Sequence, residues 1–199
     1  MKEFIIFLII FLIVFGISVF IFNGRYIYEQ TKYSFIGAPS TSKLPDSLNR
    51  EEKELALPDK LIIPSLNIEA PVVISQSTTE VGFQKDLEKG IIYLPGSSAL
   101  NEKGTMVIMG HSSAYPWYKG QYGSIFALLN KLNINDEILV FSQNKTYAYR
   151  VLQKEIKAPK DLVFQTQKEE SVLYLVSCWP VNTSWKRIVI KTTQVLDKN

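Results

Sequence analysis

The stretch VLYLVSCWPVNTSWKRIVIKTT, residues 172–193, decides the fold. Two runs rich in Val, Ile, Leu and Tyr flank a segment of Pro, Asn, Thr and Ser, which reads as strand, loop, strand. Each run is too short for a helix and of ordinary length for a strand. The same punctuation recurs upstream. Short apolar runs at Leu61–Ile63, Ala70–Ile74, Gly90–Tyr93, Thr105–Met109, Glu137–Phe141 and Tyr147–Glu155 are bounded by Pro, Gly, Asn or Asp. Together with Val172–Ser177 and Arg187–Thr193 they make eight expected strands. One helix is expected, Ser124–Lys131 (SIFALLNK), with Ser124 as its cap. Strands in such excess predict an all-β domain, a closed barrel with minor helices, because closure removes exposed edges.

Upstream of the barrel the chain changes character. Phe4–Phe22, FIIFLIIFLIVFGISVFIF, holds no charged residue and at ~1.5 Å per residue reaches ~28 Å as a helix. The run is too long for the core of a signal peptide, and the following NGRYIY, residues 23–28, offers no small-x-small cleavage site. Being apolar all round rather than striped, it is expected to be a retained transmembrane anchor. Lys2 stands on one side and Arg25 and Lys32 on the other, so charge counting leaves the orientation open. GAPSTSKLPDSLNREEKE, residues 37–54, is small, polar and proline-punctuated, the composition of a tether. A short helix within Ser47–Leu57 is the other reading of that stretch. The organisation expected is an anchor over 1–23, a tether or arm over 24–56, and a catalytic barrel over 57–199.

Composition excludes several classes of function. A net charge of +3 with Lys and Arg scattered among Asp and Glu gives no basic stripe, so no nucleic-acid partner is expected. The chain has one cysteine, Cys178, and one histidine, His111. No intramolecular disulfide can form. Zinc sites of the usual kind need three or four Cys and His ligands, so no metal and no cofactor is expected.

Those two scarce residues both follow apolar runs. His111 comes after TMVIMG and Cys178 after VLYLVS, while Arg187 opens RIVIKTT nine positions beyond the cysteine. A strand, a loop of that length and a returning strand bring Cys178 and Arg187 to neighbouring strands near one rim of the barrel. Junctions of strand and loop are where reactive groups tend to sit. A thiolate attacks a carbonyl, an imidazole moves protons to and from the departing and incoming amines, and a guanidinium offers donors to an oxyanion. Taken singly, each residue has a plainer role: a buried small hydrophobe, a structural histidine, a solvated edge charge.

Taken together, the segments resemble a known family. VLYLVSCWPVNTSWKRIVI is similar to the sortase signature, a strand ending Thr-x-Thr-Cys or a close variant, then a loop, an arginine and an aliphatic strand. GTMVIMGHS, residues 104–112, resembles the sortase strand ending Gly-His. LIIPSLNIEAPVV (61–73), KGIIYLPGSS (89–98) and IFALLNKLNINDEILVF (125–141) look like further family segments, in the family's order. The resemblance implies a sortase-like β-barrel with Cys178 as nucleophile, His111 as general acid and base, and Arg187 as stabiliser of substrate or oxyanion. Ser177, Trp179 and Ser112 beside them are assigned to substrate binding. It further implies a peptide sorting signal of the LPXTG kind, cleaved after its threonine, and an amine acceptor from a cell-wall precursor or a pilin subunit. The enzyme would sit on the outer face of the cell membrane, held by its N-terminal helix.

Departures from the pattern are visible. Ser177 stands where threonine is frequent, and Ser112 where arginine or asparagine is. Asn135 replaces the glycine of a Gly-Asp turn, a tolerable change since Asn accepts positive φ. The aromatic segment SAYPWYKGQY, residues 113–122, either shapes or covers a groove or packs on the barrel. With no second apolar span in its closing QVLDKN, a single-anchor sortase is favoured over a pilin-assembling one. Two rival functions use the same residues: a membrane-tethered cysteine peptidase, and a non-catalytic anchored barrel that binds peptide or wall polymer with Cys178 merely buried. An L,D-transpeptidase would need Ser-His-Gly-Cys close together, which this sequence lacks.

Overall fold

The computed structural model describes residues 2–36, 57–77, 79–100, 102–115, 118, 120–164 and 169–195. Helix α1 covers Lys2–Ile36, so it continues through residues 24–36 of the expected tether. Residues 37–56, which hold the rest of that tether and nearly all of the alternative short helix, lie outside the described residues. Along α1 the described apolar side chains from Phe4 to Ile17 are exposed. Among the described residues no helix is long and apolar enough to cross a membrane.

The domain beyond is an eight-stranded barrel. Its strands are β1 (Lys60–Ile63), β2 (Ile68–Ile74), β3 (Ile91–Tyr93), β4 (Gly104–Met109), β5 (Glu137–Ser142), β6 (Lys145–Lys157), β7 (Ser171–Trp179) and β8 (Lys186–Gln194). Around the barrel they run β1-β2-β3-β4-β7-β8-β6-β5, and β5 pairs with β1 to close it. Every expected strand is present. β2–β3 and β4–β7 are parallel pairs, and the other six pairings are antiparallel.

Two helical readings change. A parallel pair needs a crossover, and between β2 and β3 this is α2, Glu80–Leu87, which the sequence reading missed. Thr79 caps it by accepting from Gly82 N at 3.2 Å, and Leu87 is its one buried residue, so the apolar periodicity that reveals a helix is nearly absent. Conversely, the expected helix over Ser124–Lys131 is a run of tight turns ending in a 3₁₀ turn at Leu129–Lys131. Its amides bond three residues back, as in Ala127 N to Ser124 O at 3.0 Å and Lys131 N to Leu128 O at 2.8 Å. Phe126 N is drawn instead to His111 O at 2.9 Å. With Phe126 through Leu129 all buried, tertiary packing overrides helical propensity here.

Strand periodicity sorts the core into two clusters. Met106, Ile108, Leu173, Leu175, Ile188 and Ile190 point into the barrel and join its main cluster. Val107, Val172, Tyr174, Val176 and Val189 point outward and form a second cluster, covered by Leu162 and Phe164 from the β6–β7 connection. Apolar layers on both faces explain why β7 reads as a continuous hydrophobic run rather than an alternating one.

Candidate active site

The same period of two places the reactive residues. On β7, Val172, Tyr174 and Val176 face outward, and Cys178 continues that phase. On β8, Val189 faces outward and Arg187 shares its phase. Cys178 and Arg187 are directly opposed in the antiparallel register of β7 and β8, a spacing at which cross-strand side chains are neighbours. β4 runs parallel to β7 with Met109 opposite Val176, and Gly110 N donates to Val176 O at 3.1 Å. Continuing that register brings His111 beside Cys178. Cys178 and Arg187 are thus opposed on the outer face near the rim where β7 ends and β8 begins, as expected, and His111 follows the neighbouring end of β4.

The remaining expected residues divide by face. Ser177 is 2% exposed, and its hydroxyl donates to Gly110 O at 2.7 Å, tying the end of β4 to β7. Trp179 is half-buried and packs against the main core. Ser112 is 1% exposed, and its Oγ finds no hydrogen-bond partner among the described residues. Ser113, which opens the aromatic segment and carries no role of its own in the sequence reading, accepts through its hydroxyl from Asn182 N at 2.9 Å and staples the loop after His111 to the β7–β8 loop. Of the aromatic segment, Tyr122 packs against the main core, Tyr118 meets the His111 ring and Tyr115 is 72% exposed; Trp117 lies outside the described residues.

His111 is largely buried, and burial pushes its imidazole below the usual histidine value, with the Glu80 charge partly opposing. The ring is therefore neutral in neutral solution and able to accept a proton. Its Nε2 is buried with no partner among the described residues. Cys178 is a free, half-buried thiol. Arg187 is held over the loop by Nη1, which donates to Ser184 O and Lys186 O at 2.9 Å each. Among the described residues no group of His, Cys, Asp and Glu is placed to hold a metal ion. Alongside, the outer wall carries a groove lined by Lys157, Leu162, Phe164, Tyr174, Val189 and Lys191. From Tyr174 to Cys178 along β7 is ~13 Å at ~3.3 Å per residue.

A family model described as Sortase domain matches residues 61–195, most of the chain and all eight strands. The chain belongs to the sortase family. Sortase D of Bacillus subtilis (strain 168) is 25% identical over 134 residues, 65% of this chain and 60% of the relative's length. Among solved structures, sortase C1 of Streptococcus agalactiae is 27% identical with a TM-score of 0.60, covering 74% of this chain and 71% of that one. Sortase C of Clostridium perfringens SM101 shares the fold at 22% identity and a TM-score of 0.56, with coverage of 87% and 89%. The sortase barrel expected from the sequence is thus borne out.

Proposed function

We propose that this sortase is a cysteine transpeptidase acting on a peptide sorting signal. The direct opposition of Cys178 and Arg187, with β4 delivering His111 to the same outer face, carries the reading. The peptide would lie across the outer face where Cys178 and Arg187 oppose each other. Members of this family are transpeptidases, and an LPXTG-like signal cut after its threonine is the substrate that the family match and the sequence resemblance support.

The steps follow from the residues. The thiol proton of Cys178 passes to neutral His111, and the sulfur attacks the scissile carbonyl carbon. Arg187 donates to the oxyanion that forms. As the tetrahedral species collapses, the C–N bond breaks and His111 returns the proton to the departing amine, leaving a thioester on Cys178. An acceptor amine, from a wall precursor or a pilin subunit, attacks that thioester. His111 removes its proton, the C–S bond breaks, and a new amide is released. The N-terminal helix would anchor the enzyme in the membrane with the barrel on the extracellular face.

The test is incubation with a threonine-containing sorting peptide, with and without an added amine. The intact protein should form a thioester at Cys178 and give amide product when the amine is present. Cys178→Ala should form neither. Arg187→Ala should lose roughly 10²-fold or more in rate, several kcal/mol of transition-state stabilisation, and Arg187→Lys should recover only part because a point charge lacks the guanidinium fork. Turnover by the Cys178→Ala protein would end the proposal. Hydrolysis unaffected by the amine would favour a peptidase instead.

A further inference from the structure

Tyr118 stands against the site without belonging to it chemically. Its ring meets the His111 imidazole edge to face, with centroids 5.4 Å apart and planes at 82°. Its hydroxyl donates to Leu87 O at 2.6 Å, at the end of α2, and its amide to Tyr115 O at 2.9 Å. Space for this ring is built into the chain. A Cβ at Gly123 would lie 2.9 Å from Tyr118 Cδ1 and 2.7 Å from Ala114 Cβ. One at Gly120 would lie 2.5 Å from the Tyr118 hydroxyl and 2.7 Å from Glu88 O. Real Cβ atoms do not approach so closely, so both positions must stay small for the tyrosine to hold its place.

Histidines that move protons are commonly oriented by a third group through a hydrogen bond. Here the buried Nε2 has no such partner among the described residues. The ring plane must be fixed by packing instead, and Tyr118 is the aromatic wall that packs on it. We propose that Tyr118 is the positioning residue of this site: its ring fixes the plane of the His111 imidazole and keeps water from one side. The bond to Leu87 ties that wall to α2, the element that also brings Glu80 within electrostatic reach of His111.

This inference rests on the transpeptidase reading for its catalytic consequence but not for its physical one. Since His111 is the only histidine, its proton resonances can be followed through a pH titration without assignment. The Glu80 charge from α2 and the Tyr118 ring act on it directly, and Cys178 on β7 and Arg187 on β8 share its face by register. Only the tyrosine is altered in the test. In Tyr118→Ala, water reaches the ring and the His111 titration should move up toward the ordinary histidine value. The rate constant for thioester formation should fall on the order of 10-fold or more with KM little changed, since misplacement of a catalytic group by even ~1 Å is costly. Tyr118→Phe keeps the wall and should restore both readouts most of the way. If the alanine protein does not fold, Tyr118→Leu fills the volume without a planar ring, and should lower the rate as alanine does while moving the titration less. A folded alanine or leucine variant with an unmoved or lowered His111 titration and undiminished rate overturns the inference. An upward titration in a protein that never acted on sorting peptides would sink the transpeptidase reading while leaving the positioning role intact.

Discussion

His111 links stability to acidity through one proton. Burial disfavours its charged form, so its folded value lies below the ordinary one near 6.5. The unfolded chain therefore binds a proton that the folded chain does not, in the interval between the two values. The stabilisation is complete above the unfolded value and is lost as pH falls through that interval toward the folded one. Thermal melts of the whole protein at pH 7.5 and 5.5 should show a drop that His111→Gln reduces, because no other histidine shares the window. Equal drops in both proteins would mean that the imidazole is not desolvated. At this scale the sequence was informative about which residues to watch. A lone cysteine, a lone histidine and an arginine each stood where an apolar run began or ended, and such junctions are readable. Which face each residue occupies was not. That depends on the phase of β7 against β8 and β4, a register no single strand encodes.

His111 is carried to its place by the chain leaving β4, and Gly110, the first residue past that strand, is closely confined. A Cβ there would sit 2.6 Å from Phe126 Cδ2 and 3.0 Å from Ile91 Cγ2. Phe126 is buried and also donates its amide to His111 O, so pushing its ring disturbs the residue that anchors the histidine backbone. Gly110→Ala should therefore lower the melting temperature and depress the rate of thioester formation together, with an overpacking cost of roughly 1–3 kcal/mol by denaturant titration. Gly96→Ala, at a glycine with nothing near its Cβ position but a φ of 83°, should cost stability through backbone strain and leave the rate alone. A Gly110→Ala protein with full stability and rate would show that Phe126 moves aside freely. The eight strands were legible because Val, Ile, Leu and Tyr clustered between Pro, Gly and Asn. The two helical segments were not, for opposite reasons. α2 buries only Leu87 and so shows almost no pattern, whereas Phe126–Leu129 is buried on all sides and its backbone answers to His111 and the core.

For the molecule as a whole, the barrel and the N-terminal helix pose separate questions of solvent. The barrel closes on itself through β1 and β5 and gathers its two apolar clusters inside it and under the β6–β7 connection. Helix α1 does the reverse, with Phe4, Phe7, Phe11 and Phe15 more than half exposed. Burying even one such side chain is worth ~1.5–3 kcal/mol, so a row of them in water is strongly disfavoured. Under the anchoring proposed above, the uncharged run Phe4–Phe22 would take a bilayer as its environment, where its backbone bonds are satisfied internally. The full chain should accordingly stay with membranes through a high-pH carbonate wash, and a chain starting at residue 57 should be released in a fraction that still forms the thioester. Protease added to intact cells should remove the barrel if it faces outward, as a substrate of secreted surface proteins requires. A full chain recovered in the carbonate supernatant would refute the anchor. A barrel protected from added protease until the cells are broken would refute the orientation, and with it any supply of exported sorting signals to Cys178.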